Sequence, residues 1–132
     1  REALDFLDSV GIRRAVLSNS IFCSATLEND LRRLGLLDGF EFVMASADYC
    51  VRKPHSALFR AAAGRLNLAS DEVWYAGDNW VCDVVGASGA GMKTIWYNPS
   101  RRPIPDGIKP SIEIHAWDEL PGIKSMAQMR PL

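Results

Sequence analysis

Short apolar runs alternate along this chain with segments whose apolar residues recur every three to four positions. Ala3, Leu4, Leu7 and Val10 fall on one helical face and Gly11 supplies a stop, so residues 1–10 are predicted to be a helix. Ala15-Val16-Leu17 is too short a run for a helix and ends in the polar Ser18-Asn19-Ser20, which predicts a buried strand. Helical spacing returns over 21–34 through Thr26, Leu27, Leu31 and Leu34, and Gly35 closes it. Phe42-Val43-Met44-Ala45 predicts a second strand. Pro54 suits the first position of a helix running to about Leu66, with Ala57, Leu58, Ala61, Ala62 and Leu66 on its apolar side. Val73-Trp74-Tyr75-Ala76 predicts a third strand, followed after Gly77-Asp78-Asn79 by a helix to about Ala90. Thr94-Ile95-Trp96-Tyr97 predicts a fourth. Residues 98–110 hold four prolines and one glycine and are read as irregular. Residues 111–114 suit a short edge strand, and the chain from Trp117 onward suits a helix interrupted by Pro121-Gly122.

Strands alternating with helices predict an α/β fold, a three-layer sandwich whose mostly parallel sheet is covered by helices on both faces. At 132 residues the chain fits a single domain, 1–132. Such sheets bind ligands outside the carboxyl ends of their strands. That rule singles out Ser18, Asn19, Asp78 and Asn79, with Lys53 just ahead of a helix.

Composition narrows the partners. Lys plus Arg number 15 against 16 Asp plus Glu, so no net charge draws the chain to nucleic acid or to an anionic membrane. Arg101-Arg102, the one small basic cluster, reads as part of a solvated loop. No apolar run approaches the length of a membrane span, and residues 1–5 lack the apolar core of a signal peptide. Cys23, Cys50 and Cys82 are odd in number and form no CxxC pair, which suits free thiols in a reducing cytoplasm. Two histidines cannot build a His-rich metal site.

Three groups of residues carry chemistry, in a fixed order: Ser18-Asn19 at a strand end, Lys53-Pro54 ahead of a helix, and Gly77-Asp78 at a strand end with Asp83 five residues on. Each alone has an ordinary explanation as a helix cap, a surface lysine or a turn. Together they supply what phosphoryl transfer requires, which is positioning and neutralisation of charge. A hydroxyl such as Ser18 hydrogen-bonds phosphoryl oxygens, a lysine such as Lys53 gives a compact positive charge, and Asp78 offers a hard oxygen ligand for Mg²⁺.

These segments resemble motifs two, three and four of the haloacid dehalogenase-like (HAD) superfamily, and the layout of residues 1 to about 120 is similar to the later part of its core domain. The resemblance implies Ser18, Asn19 and Lys53 as catalytic residues. It implies Asp78 as a Mg²⁺ ligand, with Asp83 facing the same metal mainly through water or hydrogen bonds. The implied substrate is a small phosphorylated metabolite such as a nucleotide or sugar phosphate, and the implied activity is Mg²⁺-dependent hydrolysis of a phosphate monoester. Gly77-Asp78 favours a phosphatase over a dehalogenase, since dehalogenation needs no metal.

The family's nucleophile is the first aspartate of an Asp-x-Asp that ends an apolar strand, and no such strand occurs in this sequence. Asp5 and Asp8 are spaced three apart on a predicted helix and are a poor substitute. The chain is therefore read as a core-domain fragment without nucleophile strand or cap, and as inactive by itself. The resemblance places the absent strand between those ending at Ser18 and Gly77, so exposed strand edges and self-association are expected. The alternative is a non-catalytic HAD-derived module that binds phosphate or a partner. Two other motifs fail on context: Gly86-Ala87-Ser88-Gly89-Ala90-Gly91-Met92-Lys93-Thr94 ends a helix where a phosphate-binding loop would begin one, and it falls short of a GxSxG elbow.

Overall fold

The computed structural model describes residues 1–123 as two compact units, one of residues 1–48 with the segment beginning at Trp117, the other Tyr49–Ala116. The part of the expected C-terminal helix at residues 124–132 lies outside the described residues.

In the first unit, α1 (Glu2–Ser9) leads to β1 (Val16–Ser18), α2 (Ser24–Arg33) and β2 (Val43–Ala45). Gly11 and Gly35 follow the two helices with φ of 70° and 66°, the left-handed conformation that lets a chain leave a helix at low cost. β1 and β2 pair in parallel, Val16 opposite Val43 and Ser18 opposite Ala45. All three residues of β2 are buried, as its unbroken apolar run demands. Arg14 ties the unit together from a nearly buried position. Its guanidinium donates to the carbonyls of Gly39 and Leu4, each at 2.7 Å, and pairs with Asp8. α2 starts where Asp48 accepts the amide N–H and hydroxyl of Ser24. A 3₁₀ segment, Trp117–Gly122, packs on α1 and buries Leu120.

The second unit contains α3 (Ser56–Arg65), β3 (Trp74–Gly77), a π-helical turn (Trp80–Val85), α4 (Gly86–Gly89), β4 (Lys93–Tyr97) and β5 (Ile112–Ile114). Its parallel sheet has the order β3-β4-β5. Thr94 and Ser111 exchange backbone-to-hydroxyl hydrogen bonds at 3.0 and 3.1 Å, which brings the chain onto β4 just before β5 begins. Leu58, Phe59, Val84, Ala87, Ile95, Trp96 and Ile114 form the core.

Two boundaries differ from the sequence expectation. α3 begins at Ser56, not at Pro54: His55 is its cap, with Nδ1 accepting the Ala57 N–H at 3.2 Å, and Pro54, joined to Lys53 by a cis peptide, stands outside the helix. The expected α-helix after Asn79 is instead a π turn followed by a single α turn, since the Gly86 N–H reaches the Val81 carbonyl five residues back.

Candidate functional site

Successive side chains of a strand point to opposite faces, so Tyr75 and Gly77 lie on one face of β3. Beyond Gly77 the chain turns through Asp78 and Asn79 into the π turn, which Asn79 caps by accepting the Cys82 N–H at 2.8 Å. The turn carries Asp83 back over Gly77. A Cβ placed on Gly77 would clash with the Asp83 side chain, so this position favours glycine.

Asp83 is buried and its two oxygens are both engaged. Oδ2 accepts the Asn79 N–H at 2.9 Å. Oδ1 accepts the Lys53 ammonium at 2.5 Å and the Tyr75 hydroxyl at 3.3 Å. Lys53, arriving from the loop ahead of α3, also donates to the Tyr75 oxygen at 2.8 Å. The Lys53 and Asp83 side chains are 10% and 5% exposed, so this ion pair is largely shielded from water. Burial first, then the Asp83 charge, pushes the Tyr75 hydroxyl far above the usual tyrosine range, which keeps its proton in place. Residues 53, 75 and 83, scattered along the sequence, thus meet in one triangle.

Asp78 is exposed, and among the described residues its carboxylate has no hydrogen bond or ion pair. Its backbone carbonyl is held instead, accepting from Trp96 Nε1 at 3.2 Å and from the Arg102 guanidinium at 2.8 Å. Arg102 lies over the Trp96 ring, 5.5 Å from its centroid, and Trp96 packs edge-on against Trp80 at 4.8 Å. Buried Asn98 fixes the Arg102 backbone, accepting its N–H at 3.0 Å and donating to its carbonyl at 2.8 Å. Arg102 is exposed in its loop, as the sequence reading has it, and it also braces the turn that presents Asp78.

In the first unit, Ser18 ends β1 with its hydroxyl 3.5 Å from the Asn19 carbonyl. The following turn is closed by Ser20 and Ser46. The Ser20 N–H donates to Ser46 Oγ at 3.0 Å, and that hydroxyl donates back to the Ser20 carbonyl at 3.2 Å.

Sequence reasoning singled out Lys53, Asp78 and Asp83 but passed over Tyr75 and Arg102. A tyrosine in an apolar strand reads as core, and an arginine among prolines reads as solvent-facing. Among the described residues no cluster of three or more His, Cys, Asp or Glu side chains could hold a metal by itself. Mg²⁺ asks for less, because one or two carboxylates suffice when water and substrate oxygens complete the shell. The uncommitted carboxylate of Asp78 fits that demand. Asp83, read from the sequence as facing the same metal, has its oxygens on Lys53, Tyr75 and Asn79 and fits an indirect role.

Comparison with known proteins places these features in a family. The sequence model for haloacid dehalogenase-like hydrolases matches residues 1–97. A ribulose-1,5-bisphosphate 5-phosphatase of Halopiger xanaduensis is 31% identical over 101 residues, covering 76% of this chain and 41% of that protein. A glyceraldehyde 3-phosphate phosphatase of Pyrococcus furiosus is 42% identical over 65 residues, 49% of this chain and 27% of that protein. The crystal structure of a 2-haloacid dehalogenase from Pseudomonas syringae superposes with a TM-score of 0.81 at 32% identity, covering 92% of this chain and 50% of that one. This chain thus spans less than half the length of those two phosphatases. Its α/β fold is of the Rossmann-like HAD type, with parallel strands and helices as expected. With the family match over most of its length, the chain belongs to the haloacid dehalogenase-like hydrolase family.

Proposed function

We propose that this chain supplies the charge-positioning part of a phosphate monoester hydrolase. The observation that carries the reading is the shielded Lys53–Asp83 pair together with the exposed carboxylate of Asp78, which has no hydrogen bond or ion pair among the described residues. A fixed ammonium, and a hard anionic ligand able to hold a cation, match the needs of a phosphoryl group, whose oxygens carry the developing charge. Lys53 neutralises those oxygens, and Asp83 holds the Lys53 ammonium in place. Ser18 and Asn19 take the hydrogen-bonding role that the resemblance gives the end of β1. Asp78 would hold Mg²⁺, which when bound supplies further positive charge to the same oxygens. In this proposal none of these 132 residues is the attacking carboxylate, so these residues alone do not turn over. A small sugar phosphate is the substrate class, supported by the two phosphatase relatives.

The 2-haloacid dehalogenase neighbour favours a second reading, halide displacement from a small acid. Asp78 counts against it, because that reaction has no use for a cation ligand. The test uses a full-length protein carrying this chain, assayed with an aryl phosphate and Mg²⁺ and, separately, with 2-chloropropionate. Phosphate release that is lost in Asp78→Asn supports the proposal. Halide release that survives Asp78→Asn refutes it.

A further inference from the structure

Tyr75 has a place in this site that its strand position alone would not demand. Its ring is packed edge-on by Phe59, with centroids 4.9 Å apart and planes at 79°. Phe59 is itself fully buried, and it lies so close to Gly86 that a Cβ there would strike its ring. The ring is thus fixed from behind, and its hydroxyl arrives between Lys53 and Asp83 at 2.8 and 3.3 Å. Because the hydroxyl keeps its proton, it accepts from the ammonium and donates to the carboxylate at the same time. One neutral group therefore bonds both members of an ion pair and sets the direction from which the ammonium approaches Asp83. An ammonium on a four-carbon stem has many rotamers, and each bond to it narrows them.

We infer that Tyr75 is a positioning residue: its hydroxyl completes a Lys53–Tyr75–Asp83 triangle that fixes the lysine ammonium for the anionic group the site receives. The inference rests on the phosphoryl-transfer reading for its kinetic consequence, though not for its structural one. Tyr75→Phe keeps the ring and its contact with Phe59 while removing only the hydroxyl. Hydrogen bonds to charged groups are worth roughly tenfold or more in a preorganised site. In the full-length protein, Tyr75→Phe should lower kcat for an aryl phosphate about tenfold with little change in KM. In a Lys53→Ala background the same substitution should lower it no further, whereas a merely structural role would subtract from both backgrounds.

The second readout is independent of turnover. In ¹⁵N-labelled protein the ammonium resonance of Lys53, assigned by its loss in Lys53→Arg, should exchange with water several-fold faster in Tyr75→Phe. Unchanged exchange overturns the inference, whether or not the protein proves to be a phosphatase. Faster exchange with an unaltered kcat overturns the catalytic half. If the wild-type protein hydrolyses no phosphate ester, the function reading fails and the ammonium spectrum alone decides the inference.

Discussion

Replacing Asp83 by asparagine would leave the Lys53 ammonium 10% exposed with its counter-charge gone. At 2.5 Å and an effective dielectric constant near 20, the gross attraction is about 7 kcal/mol, most of it offset by the cost of removing both groups from water. Removing one partner forfeits the attraction and keeps the desolvation of the other, so Asp83→Asn should destabilise the protein by about 3–5 kcal/mol. Lys53→Met should cost a similar amount, since it strands the carboxylate. Asparagine still accepts from the Asn79 N–H, so the double variant removes both charges without orphaning that amide, and it should cost only about 1–2 kcal/mol. The four proteins would be compared by urea denaturation at neutral pH, with fluorescence as the probe. The expected signature is a double variant more stable than either single one. Costs that add to within about 0.5 kcal/mol would show that the pair is not coupled, and the argument for a shielded, mutually dependent charge pair would fall.

Gly77→Ala should be damaging, though less so than the loss of a charge, because the new methyl must displace the Asp83 carboxylate. A destabilisation of about 1–3 kcal/mol together with loss of the slowly exchanging Lys53 ammonium signal is expected, and an unperturbed spectrum would contradict the packing described. The α2 cap should be sensitive to acid. The Ser24 hydroxyl and amide hold the Asp48 carboxyl below its usual range, so the cap is intact above that range and is lost only as pH falls through the depressed value. The Ser24 amide chemical shift, followed by NMR, should accordingly titrate with a midpoint below that of an unperturbed aspartate; a midpoint at or above it would exclude the cap.

Much of this architecture is legible in the sequence because its strands are short, apolar and ended by polar residues. Val43-Met44-Ala45 is legible as a buried parallel strand, and Ser18 and Asp78 mark the ends of β1 and β3 while Lys53 lies ahead of α3. The parts that were not legible share a cause. Asp83 lies 30 residues from Lys53, and Tyr75 lies 22 from it, so no local pattern announces that they meet. A π turn and an α-helix place Trp80, Val81, Val84 and Val85 on nearly the same face over six residues, so periodicity cannot separate them. Pro54 shows a propensity outweighed by local bonding. Proline is welcome at the first position of a helix, but the His55 ring reaches the amide that defines the cap, and the helix starts after it.

The π turn makes the spacing between Asn79 and Gly86 a matter of phase. An α-helix advances 100° per residue, so deleting one residue from this turn would not merely shorten it but reset the rotation of everything on one side of the cut. If the deletion fell before Asp83, at Val81 or Cys82, the carboxylate would swing away from Gly77 while Gly86 kept its seat against Phe59 and Pro54. Deleted after Asp83, at Val85, the same single residue would preserve the carboxylate and unseat Gly86. The extra residue thus works as a vernier between two registers, one set by the charge pair and one by core packing, and it lets a single stretch of backbone satisfy both. Length changes at this turn should consequently be far less tolerated than substitutions of the exposed Val81, even though both alter the same few residues.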